Sequence, residues 1–225
     1  HHQLKFDYAY NYEASHCLKL NFLASKVIKH SVSDHDIIIF LDSDAFPINP
    51  LFPCVKNYIT EHSLTAIQRL EDNGEPIAHP SFTACTIHLW KKINGTWIQD
   101  IFKDKFGTSI KDTGGKLFQL LTDHNIKWKP LLKSNNYYHH YTHFSIYENL
   151  IYHHGAGSRN NIVTRADREQ FLCNSKNKMP FFIWKYIKIL FYDYYLIKQK
   201  KRKLLKKQEE IFQRIKSDTL FYKAL

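Results

Sequence analysis

A run of five apolar residues that ends in two carboxylates places the strongest constraint on this chain. Ile37 to Leu41 is continuously apolar and rich in β-branched residues, which predicts a buried strand at the centre of an α/β sheet. Asp42-Ser43-Asp44 follows at once, and Pro47 then interrupts any regular continuation. Open α/β sheets bind ligands at the carboxyl ends of their strands, so we expect these aspartates at a ligand site.

Two carboxylates separated by one residue can hold a divalent cation. Mg²⁺ and Mn²⁺ accept hard oxygen ligands of this kind, and such an ion can neutralise a diphosphate leaving group. Asp42 and Asp44 are therefore predicted to be metal ligands. The pattern is short, and a pair of solvated loop aspartates is its structural alternative.

Strand and helix patterns alternate along the rest of the chain, which predicts an α/β fold class. The chain has 225 residues, a length that suits one such domain with appendages. Helices are predicted over 13–30, 51–62, 96–105 and 116–124. Strands are predicted over 37–41, 64–69, 82–90, 126–128 and 150–152, with loops at 71–80 and 134–148.

Charge is distributed unevenly between the body and the end of the chain. Residues 176–225 carry 14 of the 32 Lys and Arg but only four of the 21 Asp and Glu. A nearly neutral body at 1–175 argues against nucleic acid as a partner there, because phosphate binding needs many cations on one surface. We therefore divide the chain into a main domain at 1–175 and an aromatic, basic helical tail at 176–225.

The tail has the composition of a segment that lies at a membrane surface. Residues 181–197 are too few and too charged to span a bilayer. Trp and Tyr beside many Lys across 181–207 fit attachment to anionic lipid. A solvated helix, a dimerisation helix and an RNA-binding segment are the alternatives for this stretch.

The four cysteines form no CxxC pair and suggest neither a zinc site nor a dense disulfide framework. Reduced, buried thiols in a cytoplasmic protein are the simplest interpretation.

The segment from Ile39 to Ile48, Ile-Phe-Leu-Asp-Ser-Asp-Ala-Phe-Pro-Ile, resembles the D-x-D segment of GT-A glycosyltransferases. The resemblance implies a Rossmann-like mixed sheet flanked by helices, with Mn²⁺ or Mg²⁺ as cofactor. It also implies transfer of a sugar from a nucleotide-sugar donor to a saccharide or lipid-linked acceptor. The expected location is cytoplasmic, with peripheral attachment to the inner face of the membrane through the tail.

The same resemblance suggests further site residues. His154, in His154-x-x-Gly157, corresponds to a late histidine that serves as a third metal ligand in some GT-A families, with His153 as the less favoured choice. Donor contacts are expected from Ser43, from Gly155 through its backbone and from Arg159 through its charge. Asn21, on the helix before the metal-binding strand, is a further expected donor contact.

The resemblance also implies a carboxylate before a late helix that contacts the acceptor hydroxyl, and Asp112 is the candidate. If the transferase inverts configuration, it needs a general base for that hydroxyl, and Asp112 is expected to serve as one. A structural role in the Asp112-Thr113-Gly114-Gly115 turn is the equal alternative. For Arg69 a surface salt bridge is favoured over a substrate contact.

The chain departs from the GT-A pattern at its start. Such domains begin with a strand whose loop holds the nucleotide base, and here a short stretch precedes the first helix, so we expect this strand to be missing. That departure keeps open a catalytically inactive GT-A-like binding or scaffold domain. A haloacid-dehalogenase-type phosphohydrolase is less favoured, because it needs Thr or Val where Phe46 stands.

Overall fold

The computed structural model describes residues 16–70, 74–137, 143–155 and 192–225, with side chains in the last segment at 202, 203 and from 205 onward. These residues form two compact units. The first contains 16–41, 52–70 and 74–131, and the second contains 42–51, 132–137, 143–155 and 192–225. Mixed α/β structure, as the sequence predicts, is present in both.

The first unit is built on a four-stranded mixed sheet in the order β1-β4-β3-β7. Strands β1 and β3 run antiparallel to β4, and β7 runs parallel to β3. The strand bounds are β1 Ile37–Leu41, β3 Leu64–Arg69, β4 Glu75–Thr86 and β7 Lys129–Leu131. The helices are α1 His16–His30, α2 Leu51–His62, α3 Ile87–Lys92 and α4 Gly115–Asp123.

Apolar residues from α1, β1, β3, β4, α3 and α4 meet in the core of this unit. Its aromatic centre is Phe40, whose ring centroid lies 4.8 Å from that of Trp90 and 5.0 Å from that of Trp97. Offset and edge-to-face pairs of this kind stabilise a core beyond the area they bury.

The prediction that β1 is a buried central strand is wrong for the described sheet. β1 lies at the end of the strand order, and its residues alternate between buried and partly or fully exposed. Continuous apolar sequence predicts burial on both faces, whereas Ile39 and Leu41 are 37% and 39% exposed. The apolar run identified the strand correctly but not its position in the sheet.

Three other predicted elements differ because single residues redirect the backbone. The loop expected to continue to Pro80 ends at Gly74, whose φ is +76°, and β4 begins at Glu75. The strand expected through Trp90 gives way to α3, since the Thr86 side chain accepts a hydrogen bond from Leu89 N at 3.1 Å and caps the helix.

The helix predicted at 96–105 is instead the first strand of a hairpin, β5 Asp100–Lys103 paired with β6 Ser109–Asp112. The Asp104 carboxylate accepts hydrogen bonds from Phe106 N at 2.9 Å and from Thr108 N at 2.7 Å, and Gly107 has a φ of +82°. Asp and Gly in these positions favour a turn over a helix.

The second unit contains a three-stranded antiparallel sheet in the order β2-β9-β8. Its strands are β2 Ala45–Pro47, β8 His143–Tyr147 and β9 Ile151–Gly155. Strand β8 lies within the segment predicted to be a loop. One face of this sheet is aromatic and packs against the end of the chain, in a core formed by Phe144, Ile146, Tyr152, Ile211, Phe221 and Leu225.

The described part of the predicted basic tail, residues 192–225, is mostly helical, with α5 at Tyr192–Ser217 and a short 3-10 helix at Phe221–Ala224. It is not a separate part of the described structure, because Ile211 and Phe221 are buried in the core of the second unit. The predicted boundary at 175/176 lies outside the described residues. Within the described parts of the chain, no helix has both the length and the apolar character needed to cross a membrane.

Candidate metal centre

Two carboxylates and one imidazole converge in the second unit. One oxygen each from Asp42 and Asp44 and one nitrogen of His153 lie within 4.8 Å of one another. His153 Nε2 is 3.4 Å from Asp44 Oδ1. The side chain of His153 is 9% exposed and that of Asp44 is 28% exposed, so the cluster is partly shielded from solvent.

The backbone around Asp42 brings this cluster together. Ala45 N donates to Asp42 O at 3.0 Å, which closes a tight turn between β1 and β2. His154 N donates to Asp44 O at 2.8 Å and joins the turn to β9. In the resulting register Ala45 lies opposite His153, and residues directly opposite in antiparallel strands present their side chains on the same face.

This register selects His153 rather than the expected His154. Successive side chains of a strand point to opposite faces, so one of the two histidines faces the carboxylates and the other faces the aromatic core. The His154 ring centroid lies 4.8 Å from that of Phe144 in an edge-on contact. The expectation that His154 completes the set is therefore corrected to His153.

Asp44 carries the charge that a metal ligand needs. Burial alone would raise the pKa of this carboxyl, but the hydrogen bond and positive charge of His153 and the charge of His154 outweigh it, so the pKa lies below its ordinary value. An ionised carboxylate at neutral pH is the form that coordinates a cation.

His154 has a different environment from its neighbour. Burial lowers its pKa, which the negative charge of Asp44 opposes and the charge of His153 reinforces, and the net shift is downward. Its Nδ1 forms a hydrogen bond of 2.9 Å with Tyr152 Oη. A neutral imidazole bonded to a tyrosine hydroxyl on the aromatic side of the sheet has a structural role.

Three of the four expected donor contacts lie within the described residues. Ser43 is exposed in the turn between the two aspartates. Gly155 ends β9 with a φ of +64°, a conformation that suits glycine. Arg159 lies outside the described residues. The expectation for these residues stays a prediction.

Asn21 has a structural role in the first unit. Its Nδ2 donates to Thr96 Oγ1 at 3.0 Å, and its Oδ1 accepts from Trp97 N at 2.8 Å. Both ends of the amide thus connect α1 to the segment before the hairpin. Asn21 also lines an open cleft with Trp90 and Asn94, and its expected donor contact stays a prediction.

Asp112 ends β6, and its Oδ1 accepts from Thr113 N at 2.7 Å. Its Oδ2 lies 3.9 Å from Arg69 Nη2, and its side chain is 40% exposed. The helix that follows is capped by Gly114 and not by Asp112. Catalysis by Asp112 stays a prediction.

The salt bridge expected for Arg69 is present but is mostly buried. Arg69 Nε donates to Glu75 Oε2 at 2.8 Å, and the two side chains are 15% and 10% exposed. A pair this buried requires both partners, since removal of one leaves an uncompensated charge.

The arrangement as a whole offers two hard oxygens and one imidazole nitrogen, a set that suits Mn²⁺ better than Mg²⁺, since Mg²⁺ favours oxygen ligands alone. The sequence indicated both carboxylates, and only the strand register distinguishes the two histidines. Comparison with protein-family models, with curated proteins and with solved structures finds no significant match to this chain.

Proposed function

We propose that this chain is a metal-dependent glycosyltransferase that moves a sugar from a nucleotide-sugar donor to a saccharide or lipid-linked acceptor. The observation that carries the proposal is the convergence of Asp42, Asp44 and His153 within 4.8 Å directly after an apolar strand. The GT-A resemblance of the D-x-D segment supplies the reaction class. A bound Mn²⁺ or Mg²⁺ would neutralise the charge of the departing nucleoside diphosphate.

The residues of the chain have distinct tasks in this proposal. Asp42 and Asp44 supply oxygen ligands, and the lowered pKa of Asp44 keeps it ionised at neutral pH. His153 supplies a nitrogen ligand from β9 and stabilises the ionised Asp44. The turn closed by Ala45 N and Asp42 O fixes the two carboxylates before a ligand arrives, which lowers the entropic cost of binding.

The test is Mn²⁺-dependent binding and turnover of nucleotide-sugars. A panel of nucleotide-sugars is screened for hydrolysis or transfer with and without Mn²⁺, and wild type is compared with Asp44→Asn. We expect turnover to fall by about 100-fold or more, because the leaving group loses its electrostatic stabilisation. Asp123→Asn is the matched control, since it removes the same charge from an exposed position at the end of α4.

Near-normal transfer by Asp44→Asn would refute the assignment of the site. Mn²⁺-dependent binding of a nucleoside diphosphate without any turnover would favour the inactive binding domain. Release of phosphate from simple phosphoesters would favour the phosphohydrolase.

We also propose that α5 attaches the protein to an anionic membrane surface. Arg202, Lys203 and Lys206 are exposed on this helix, and Leu205 and Phe212 are 44% and 50% exposed. Such a surface suits an anionic membrane, because the cations attract the lipid headgroups and the apolar side chains insert at the boundary with the acyl chains. The exposed apolar residues favour lipid over nucleic acid as the partner.

Vesicle flotation tests this attachment with the full chain. Simultaneous replacement of Arg202, Lys203 and Lys206 by Glu is expected to weaken binding to anionic vesicles by about 100-fold or more, at about 1 kcal/mol per lost cation. The control is the same replacement at Lys92, Lys111 and Lys127, which are exposed in the first unit. Equal flotation of the two triple variants would contradict the proposal, as would wild-type binding to RNA but not to vesicles.

A further inference from the structure

A buried serine lies opposite His153 in the three-stranded sheet. Ser145 on β8 is the register partner of His153 on β9, and His153 is in turn the partner of Ala45 on β2. Directly opposed residues of antiparallel strands have Cβ atoms about 4.5–5.5 Å apart on the same face. Ser145 therefore shares the face of the sheet that presents His153 to the two carboxylates.

The hydroxyl of Ser145 has no partner to satisfy it among the described residues. Ser145 is 2% exposed, and its Oγ accepts or donates no hydrogen bond within the described parts of the chain. Burial of an unpaired hydroxyl costs free energy, so such groups are uncommon unless a ligand, ion or water completes them. On the other face of the sheet, Tyr152 Oη is bonded to His154 at 2.9 Å.

A second buried polar atom without a described partner, Trp97 Nε1, gives a useful contrast. Its ring lies within the aromatic cluster of Phe40 and Trp90 in the first unit, and the metal-ligating cluster found among the described residues lies in the second unit. Ser145 differs because its cross-strand neighbour is a member of the candidate metal centre. A missing hydrogen-bond partner alone does not indicate a ligand, but the position of the Ser145 hydroxyl beside the candidate metal centre does.

We propose that Ser145 is a ligand-contacting residue of the Asp42–Asp44–His153 centre. Its hydroxyl donates a hydrogen bond to an oxygen held by the cation, which is a water when the cation binds alone and a phosphate oxygen when a nucleoside diphosphate is present. This inference rests on the proposed cation site but not on the transfer of any sugar. Ser145 thereby tunes the affinity of the site and contributes no charge to it.

Mn²⁺ titration of the full chain, followed by electron paramagnetic resonance of the free ion, tests this role. Ser145→Ala is expected to weaken Mn²⁺ binding by about tenfold, the lower end of the loss typical for groups that support metal ligands. The titration is then repeated with a nucleoside diphosphate present. If Ser145→Ala loses more Mn²⁺ affinity under that condition, the partner of Ser145 is a phosphate oxygen and not a water. Ser145→Cys, which keeps a weaker donor of similar size, is expected to give an intermediate loss.

The matched control is Tyr152→Phe, which removes one hydroxyl from the opposite face of the adjacent strand and is expected to leave Mn²⁺ affinity unchanged. Thermal unfolding in metal-free buffer checks the fold of each variant, and Ser145→Ala is expected to unfold no earlier than wild type because the hydroxyl it removes is unpaired. Wild-type Mn²⁺ affinity in Ser145→Ala would overturn the inference while leaving the metal centre intact. Absence of Mn²⁺ binding by wild type would instead overturn the proposed site itself.

Discussion

The two sheets of this molecule differ in how their polar groups are satisfied. In the four-stranded sheet, Thr65 Oγ1 donates to Lys129 O at 3.1 Å and Thr83 Oγ1 donates to His79 O at 2.9 Å, so buried hydroxyls are satisfied by the backbone of the same sheet. The three-stranded sheet has one aromatic face and a second face, named the polar face for His153 and Ser145, which share it with the buried Tyr147 and Ile151. The polar face carries His153 beside Asp44, together with the Ser145 hydroxyl, which has no hydrogen-bond partner among the described residues.

That difference suggests two kinds of buried polar group, one that stabilises the fold and one that contacts a ligand. A buried polar group that is bonded within its own sheet contributes to a unique fold. A buried hydroxyl beside the candidate metal ligands, with no partner among the described residues, is more simply explained by a group from outside the sheet. If this distinction is correct, changes on the aromatic face affect stability and changes on the polar face affect ligand affinity.

The largest expected effect is on the aromatic face. Phe221 is 5% exposed, and its ring centroid lies 5.1 Å from that of Tyr152 and 6.1 Å from that of Phe46. Phe221→Ala should lower the free energy of unfolding by about 3–5 kcal/mol, through lost burial and the cavity left behind. Urea denaturation measures the loss, and Mn²⁺ titration of the folded variant should give the wild-type affinity. A parallel fall in Mn²⁺ affinity would mean that the two faces are not independent.

The paired histidines give a smaller effect and a sharper comparison. His153→Ala should weaken Mn²⁺ binding by at least about tenfold, because loss of a direct ligand costs no less than loss of a supporting group. His154→Ala should leave Mn²⁺ affinity within about twofold and lower stability by about 1 kcal/mol, the typical value of one hydrogen bond. Calorimetric Mn²⁺ titration and urea denaturation of both variants measure the two quantities. The reverse pattern would restore His154 as the ligand.

The sequence predicted those elements of the fold whose signals are local. The apolar run at Ile37–Leu41, the helical spacing before His30 and the helix near 116–124 all correspond to described elements. The hairpin at 100–112 and the change from β4 to α3 were missed, because single side chains decide them. Asp104 closes the hairpin turn, and Thr86 caps the helix. A capping or turn hydrogen bond outweighs an apolar pattern over so few residues.

The site was predictable only as far as its two carboxylates. Asp42 and Asp44 follow a recognisable strand, and the described cluster contains both carboxylates. The third member depends on the pairing of β2 with β9, two strands that lie about 100 residues apart in the sequence. A shift of one residue in that register exchanges the faces of His153 and His154. The two histidines are adjacent in the sequence, so no local pattern distinguishes them.

The smallest expected effect concerns the four-stranded sheet, where the thiol of Cys85 should be unreactive. Cys85 on β4 is fully buried, and burial raises the pKa of its thiol from 9.0 to about 12. The thiolate is the reactive form of cysteine. A thiol-alkylating reagent added to native protein near pH 8 should therefore label the half-exposed Cys54 first and Cys85 only after unfolding. Mass spectrometry of cysteine peptides follows the labelling. The neutral thiol stabilises the fold fully below the unfolded-state pKa and loses that contribution as pH rises from about 9 toward 12. If Cys85 in the native protein were labelled at the rate of Cys54, the four-stranded sheet would open readily. The proposed contrast between this structural sheet and the three-stranded sheet would then fail.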